Sequence, residues 1–150
     1  MFKGLILQEK LVNRFISGNK ADELKRTLKQ AVEQNFALIF ISDNINEFCS
    51  GSMFNGDIKY KKLCVFDPYK RVGKKNKKKI DAHELSSMLD MIRISPKRDR
   101  VLFVSDDEAD YRFARCDMEF LYYSPSFHNG RKKKPFSQID RIDKIFEMGL

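Results

Sequence analysis

Short apolar runs alternate with amphipathic stretches along this 150-residue chain. Each apolar run stops abruptly at polar residues, and each is too short to form a complete helix. Continuous apolar runs of this kind are typical of strands that are buried on both faces, as parallel sheets require. The pattern therefore predicts strands at residues 4–7, 36–41, 63–66, 101–104 and 120–123.

Helical periodicity fills several of the segments between these strands. In residues 21–34 the apolar positions recur on one helical face. Asp81 followed by Glu84 has the spacing of a capping box and predicts the start of another helix. A further helix is predicted at residues 111–115, and Ser137 is predicted to cap the last one.

Strands that alternate with helices predict a single α/β domain over residues 1–150. The expected architecture is a three-layer α/β/α sandwich with a mostly parallel, Rossmann-like sheet and helices on both faces. The most irregular segment, around residues 50–62, is expected to be a small flap or insertion.

Positive charge is the second strong feature of the sequence. The chain has 29 Lys and Arg against 21 Asp and Glu, a net charge of +8 and a pI near 9.4. This balance favours polyanionic partners, either nucleic acid or an acidic protein surface. Two clusters of basic residues stand beside predicted loops. The alternative to a binding role is that these residues are only solvated surface. The candidate nucleic-acid-binding residues are Lys74, Lys75, Lys77, Lys78 and Lys79 in the first block, and Arg131, Lys132, Lys133 and Lys134 in the second.

Several classes of protein are excluded by composition. No apolar run approaches the roughly 20 residues that cross a bilayer, so no membrane partner is expected. Residues 4–7 are followed at once by polar and charged residues, unlike a signal peptide. The three cysteines lack CxxC spacing and are expected to be reduced thiols, which suggests a cytoplasmic location.

An acidic corner follows the predicted strand at residues 101–104. Asp106, Asp107, Glu108 and Asp110 crowd the point where that strand gives way to a helix. Ligands of open α/β sheets bind outside the carboxyl ends of the strands, where such a corner lies. Carboxylates packed this closely repel one another unless solvent, a cation or a basic partner neutralises them. A solvated acidic loop is the alternative.

Three segments, in their order along the chain, resemble motifs of the haloacid dehalogenase (HAD) superfamily, especially its small members without a large cap domain. Residues 36–44, FALIFISDN, look like the second motif, an apolar strand that ends in Ser or Thr. The lysine block before Asp81 stands where the family has its third-motif lysine. Residues 105–110 are similar to the fourth motif, Gly-Asp-x-x-x-Asp, with Ser in place of Gly.

The resemblance implies a phosphate site at the ends of these strands. Ser42 Oγ and the backbone N–H of Asp43 would bind phosphate oxygens, and Lys78 or Lys79 would neutralise phosphate charge. No cofactor is assigned from the residues themselves, but the resemblance implies Mg²⁺. Its candidate ligands are Asp106, Asp107 and Asp110.

The first motif departs from the family. Its Asp-x-Asp would follow the strand at residues 4–7, where this chain has Gln8 and Lys10. An amide cannot serve as the carboxylate nucleophile, and losing that group removes the covalent route. Lys10 brings a positive charge to the place of the metal. Regular strand alternation would turn Glu9 away from the site.

Three functions follow from these residues. The first is a HAD-like protein without catalysis that binds a polyanion through its basic loops. The second is a Mg²⁺-dependent phosphatase or phosphotransferase with an atypical site. The third is a metal-dependent nuclease that resembles the Toprim fold, with Glu9 after the first strand and Asp106 and Glu108 after a later one. Aromatic residues that could stack on bases, or pack in the core, are Tyr111, Phe113, Tyr122, Tyr123 and Phe127.

Overall fold

The structure is a computed structural model that describes residues 2–44, 62–73, 76–125 and 136–147. Residues 50–61 of the predicted flap lie outside the described residues. Lys74, Lys75, Phe127 and the whole second basic block, Arg131, Lys132, Lys133 and Lys134, also lie outside them. For Lys77 the backbone alone is described.

Six strands form one parallel sheet in the described part of the chain. A separate antiparallel pair forms a two-stranded sheet. Neighbours in the large sheet are all parallel, so the predicted parallel sheet is confirmed. The strands are β1 (Phe2–Gln8), β2 (Ala37–Ile41), β3 (Leu63–Phe66), β4 (Tyr69–Val72), β5 (Asn76–Lys79), β6 (Arg100–Ser105), β7 (Glu119–Tyr123) and β8 (Ser137–Ile139).

Helices cover both faces of the large sheet. Successive residues of β1 alternate between the two cores, with Leu5 and Leu7 in one and Ile6 in the other. The first core also contains α1 (Glu9–Ser17), α2 (Ala21–Glu33) and the 3₁₀ helix Ile142–Glu147, and the second contains α3 (Ala82–Met91) and the 3₁₀ helix Glu108–Cys116. The three-layer α/β/α prediction is confirmed. Within the described ranges, no helix is long and apolar enough to span a membrane.

The predicted start of α3 is also confirmed. The Asp81 carboxylate accepts a hydrogen bond from the Glu84 backbone N–H at 2.8 Å. The Glu84 carboxylate in turn accepts one from the Asp81 N–H at 3.2 Å. This reciprocal capping box satisfies two amides that the helix itself cannot pair.

Two local predictions need correction, and one helix was not predicted. Ser137 caps no helix: it opens β8, pairs with Leu121 of β7, and the following 3₁₀ helix begins only at Ile142. The first basic block is not a loop at residues 76–79, because these residues form β5. An unpredicted helix, α1, directly follows β1 and buries Leu11, Val12 and Phe15.

The strand order brings the polar ends of several strands together. The large sheet runs in the order β3-β2-β1-β6-β7-β8. From β1 the chain moves outward to β2 and β3, and from β6 it moves the other way, so the order reverses between β1 and β6. Crevices form outside the carboxyl ends of the strands at such a reversal. The polar residues that follow β1, β2 and β6 therefore meet at one edge of the sheet.

Candidate functional site

A cleft of about 340 Å³ opens at the carboxyl ends of β1, β2 and β3. Its wall combines the residues that follow these strands with the end of β5. The lining residues are Gln8, Glu9, Lys10, Asn13, Ile41, Ser42, Asp43, Pro68, Tyr69 and Lys79. The structure therefore brings five residues of the predicted site, Gln8, Lys10, Ser42, Asp43 and Lys79, to one cleft.

Ser42 is buried at the end of β2 and its hydroxyl is already engaged. The Ser42 hydroxyl donates a hydrogen bond to the Glu9 carboxylate. Ser42 Oγ also accepts a hydrogen bond of 3.1 Å from the Asn44 backbone N–H. Glu9 thus faces the cleft, contrary to the expectation from strand alternation, because β1 ends at Gln8 and Glu9 begins α1.

Two cations of α1 neutralise the acidic corner after β6. Lys10 Nζ lies 3.0 Å from Asp107 Oδ2, and Arg14 Nη1 lies 2.8 Å from Asp106 Oδ2. Lys10 and Arg14 are four residues apart, so they share one face of the helix. The basic partner that the crowded carboxylates require is therefore supplied by the chain itself.

The Lys10–Asp107 contact changes the acidity of both groups. Its hydrogen bond, together with one from the Ala109 backbone N–H, lowers the pKa of Asp107. Partial burial opposes charging of Lys10, but the hydrogen bond to Asp107 and the nearby carboxylates outweigh it and raise the pKa of Lys10. Both shifts favour the charged pair at neutral pH.

Asp110 has a structural partner. It is buried, and its carboxylate accepts a hydrogen bond of 2.6 Å from Ser105 Oγ. Ser105 Oγ accepts in turn from the Asp107 backbone N–H at 3.0 Å. Asp107 Oδ1 caps the 3₁₀ helix by accepting from the Ala109 N–H at 3.0 Å. These bonds hold the turn after β6 in shape.

The acidic residues do not fit a divalent cation. Among the described residues, no group of three or more His, Cys, Asp or Glu side chains is placed to hold a metal ion. Asp106 Oδ1 is buried without a hydrogen-bond partner, but its other oxygen is bonded to Arg14. One carboxylate beside an arginine and a lysine is a poor match for the several oxygen ligands that Mg²⁺ needs. The Toprim-like arrangement would use Glu9 as a ligand, and the Glu9 carboxylate accepts a hydrogen bond from Ser42.

Strands β4 and β5 form what we call the basic hairpin. Residues 69–79 contain seven Lys and Arg and no Asp or Glu. The register pairs Tyr69 with Lys79 and Lys70 with Lys78. Lys70 Nζ lies 2.6 Å from Glu84 Oε2, which ties the hairpin to α3. Lys78 and Lys79 are exposed, and Lys79 Nζ lies 6.0 Å from the centre of the Phe113 ring.

The predicted aromatic residues that the structure describes all pack against other aromatic rings. The Tyr123 ring lies 5.0 Å from Phe15, and Phe113 stacks 5.4 Å from Phe103, so both are core residues. Tyr111 and Tyr122 pack on Phe136. The exposed aromatic of the cleft is Tyr69, which the sequence reasoning missed, as it missed Asn13. The available signal was an aromatic residue placed directly between a strand-ending Asp-Pro pair and a run of basic residues.

Comparison with known proteins adds no family to this picture. No family model matches the chain, and no similar sequence was found among curated proteins. The geometry of the cleft and of the basic hairpin is therefore the basis for inferring a function.

Proposed function

We propose that this chain is a HAD-like protein without catalytic activity that binds nucleic acid through its phosphate groups. The basic hairpin and the mouth of the adjoining cleft form the proposed binding surface. One observation carries the proposal: both ends of the hairpin, Tyr69 and Lys79, line the cleft. The basic hairpin and the crevice of the sheet are therefore continuous.

Charge favours the hairpin as the phosphate contact. Lys10 and Lys70 are held by Asp107 and Glu84, whereas Lys78 and Lys79 form no ion pair with any described carboxylate. Within the cleft, Glu9 and Asp43 add negative charge. Phosphate groups are therefore expected to approach along the hairpin, on the Lys79 side of the cleft, where counterion release drives binding.

Nucleic acid is favoured over an acidic protein surface. The centres of protein–protein interfaces are depleted in lysine and enriched in aromatic and apolar residues. The hairpin has the opposite composition, with six lysines among its 11 positions from 69 to 79. Lysine chains of this kind contact phosphates without reading base sequence, so we expect weak sequence preference.

Two features argue against hydrolysis at the same cleft. Gln8 lines it at the position that corresponds to the family's nucleophile, and an amide forms no acyl phosphate. Lys10, at the position that corresponds to the acid/base carboxylate, is paired with Asp107. Neither residue therefore supplies a carboxylate that could attack a phosphate.

Binding of a fluorescent 20-nucleotide single-stranded DNA, measured by anisotropy in 50 mM NaCl, tests the proposal. Lys78→Gln/Lys79→Gln is expected to weaken binding about tenfold or more. The matched control, Lys29→Gln/Lys97→Gln, removes the same charge from exposed positions outside the cleft and should bind almost as the native chain does. Equal losses in both variants would overturn the assignment. Stronger binding to polyglutamate than to DNA would assign the surface to an acidic protein.

Activity assays test the non-catalytic half of the proposal. We expect no turnover of p-nitrophenyl phosphate with Mg²⁺ and no nicking of plasmid DNA with Mg²⁺ or Mn²⁺. Turnover that Asp106→Asn abolishes would instead establish a phosphatase. Nicking that Glu9→Gln abolishes would establish a nuclease.

A further inference from the structure

We infer that the cross-strand pair Tyr69 and Lys79 holds one unpaired nucleotide of a single-stranded nucleic acid. The base would stack on the Tyr69 ring, and an adjoining phosphate would contact the Lys79 ammonium. This inference rests on the proposed function and gives it a strand preference.

Tyr69 is placed to accept a base. Tyr69 is 38% exposed, unlike the aromatic residues of the two cores, and no described aromatic ring stacks on it. Its backbone N–H donates a hydrogen bond of 2.9 Å to Asp67 Oδ1, which fixes the start of β4 at the cleft. A partly exposed ring at the wall of a cleft offers a flat apolar face, on which any base can stack.

Lys79 stands beside this ring. Directly opposed residues of an antiparallel pair have Cβ atoms about 4.5–5.5 Å apart and share a face of the sheet. Tyr69 and Lys79 are such a pair, and both line the cleft. Ile80, the next residue, is buried, and its N–H donates to the Pro68 carbonyl at 2.8 Å. The base of the hairpin is therefore anchored on both strands next to the pair.

The size and lining of the cleft fit a single nucleotide. Its volume of about 340 Å³ lies at the small end of the range for small-ligand sites. Gln8, Asn13 and Asp43 offer polar groups to the edge of a base. A base within a duplex is stacked on both faces and cannot present one to Tyr69. We therefore expect single strands to bind more tightly than duplexes of the same length.

Three probes separate stacking from charge: single-stranded DNA, the matching duplex and inorganic polyphosphate, which has no bases. Tyr69→Ala is expected to weaken single-strand binding by about 5- to 150-fold. It should leave polyphosphate binding unchanged. Tyr69→Phe, which keeps the ring, should retain the single-strand affinity. Circular dichroism of both variants establishes that the sheet is intact.

Each contrary result has a distinct meaning. If Tyr69→Ala binds single strands as the native chain does, the stacking inference fails, while the proposed function stands provided that the Lys78→Gln/Lys79→Gln variant still loses binding. An equal loss of polyphosphate binding in Tyr69→Ala would show that the ring only supports the hairpin, which also overturns the inference. If adenosine monophosphate displaces the single-stranded DNA at concentrations similar to those at which the DNA binds, the site is one for a free nucleotide. If the native chain binds none of the probes, the proposed function itself falls.

Discussion

Replacing Lys78 and Lys79 by glutamine should change the salt dependence of nucleic-acid binding, as well as its strength. Both lysines are exposed on β5, and neither forms an ion pair with a described carboxylate. If each contacts one phosphate, each contact displaces condensed counterions from the nucleic acid. The favourable entropy of that release diminishes as salt is added. Each contact therefore makes the slope of log binding constant against log salt concentration more negative.

The size of the effect follows from the number of contacts. For single strands, the logarithm of the binding constant falls with the logarithm of salt concentration by about 0.7 for each phosphate neutralised. Loss of two contacts should therefore make the slope less negative by about 1.4. Between 50 and 200 mM salt, the ratio of native to variant affinity should then shrink by about sevenfold.

The assay is a series of anisotropy titrations with one labelled oligonucleotide at four or five salt concentrations. Lys29→Gln/Lys97→Gln serves as the control, because it lowers the net charge equally without touching the hairpin. Its slope should match the native one. Equal slopes of log binding constant against log salt concentration for the native chain and the Lys78→Gln/Lys79→Gln variant would refute phosphate contact by these lysines. This holds even if the variant binds more weakly.

Three further predictions concern the framework of the site. Phe103→Ala should lower the free energy of unfolding in urea by about 3–5 kcal/mol, because the ring is fully buried between aromatic neighbours. An unchanged urea midpoint would contradict this packing. Asp81→Ala should lower the calorimetric Tm by about 2–4 °C through loss of the capping box, whereas Asp90→Ala, exposed on the same helix, should not. Lys10→Met should destabilise the chain by up to about 1 kcal/mol at pH 7. This difference should shrink as the pH falls through the lowered pKa of Asp107, and a difference that does not change with pH would show that the ion pair is not its source.

The sheet was predictable because burial on both faces leaves a strong signal. Residues 36–41 and 101–104 contain apolar side chains alone, and both became central strands. The same logic placed Ser42 and Asp106 at one edge of the sheet. Residues that directly follow parallel strands lie at the same edge of the sheet, so the local sequence pattern is enough to predict their positions.

Elements at the margins of the sheet were harder to predict. Ser137 begins a strand of three residues, too short for its alternation to show in the sequence. The lysines of β5 read as a loop, because a two-stranded hairpin is held by partners distant in sequence, such as Glu84 on Lys70. Helix α1 begins directly after the last residue of β1, with no loop or glycine to mark the change.

The pairing within the site depends on tertiary contacts that spacing does not reveal. The sequence indicated that the carboxylates after β6 needed a positive partner, and it named Lys10 as a cation near the expected metal position. It gave no sign of Arg14, which lies 92 residues from Asp106 in the chain. Tyr69 was missed for the same reason, because its place at the cleft depends on where the hairpin folds back.

Backbone amide NMR shifts, followed during titration with single-stranded DNA, locate the binding surface residue by residue. We expect the largest shifts at Tyr69, Lys78 and Lys79, with smaller ones at Gln8 in the cleft. Large shifts confined to residues 95–99, at the amino edge of the sheet, would contradict this expectation, as would an unchanged spectrum at saturating DNA.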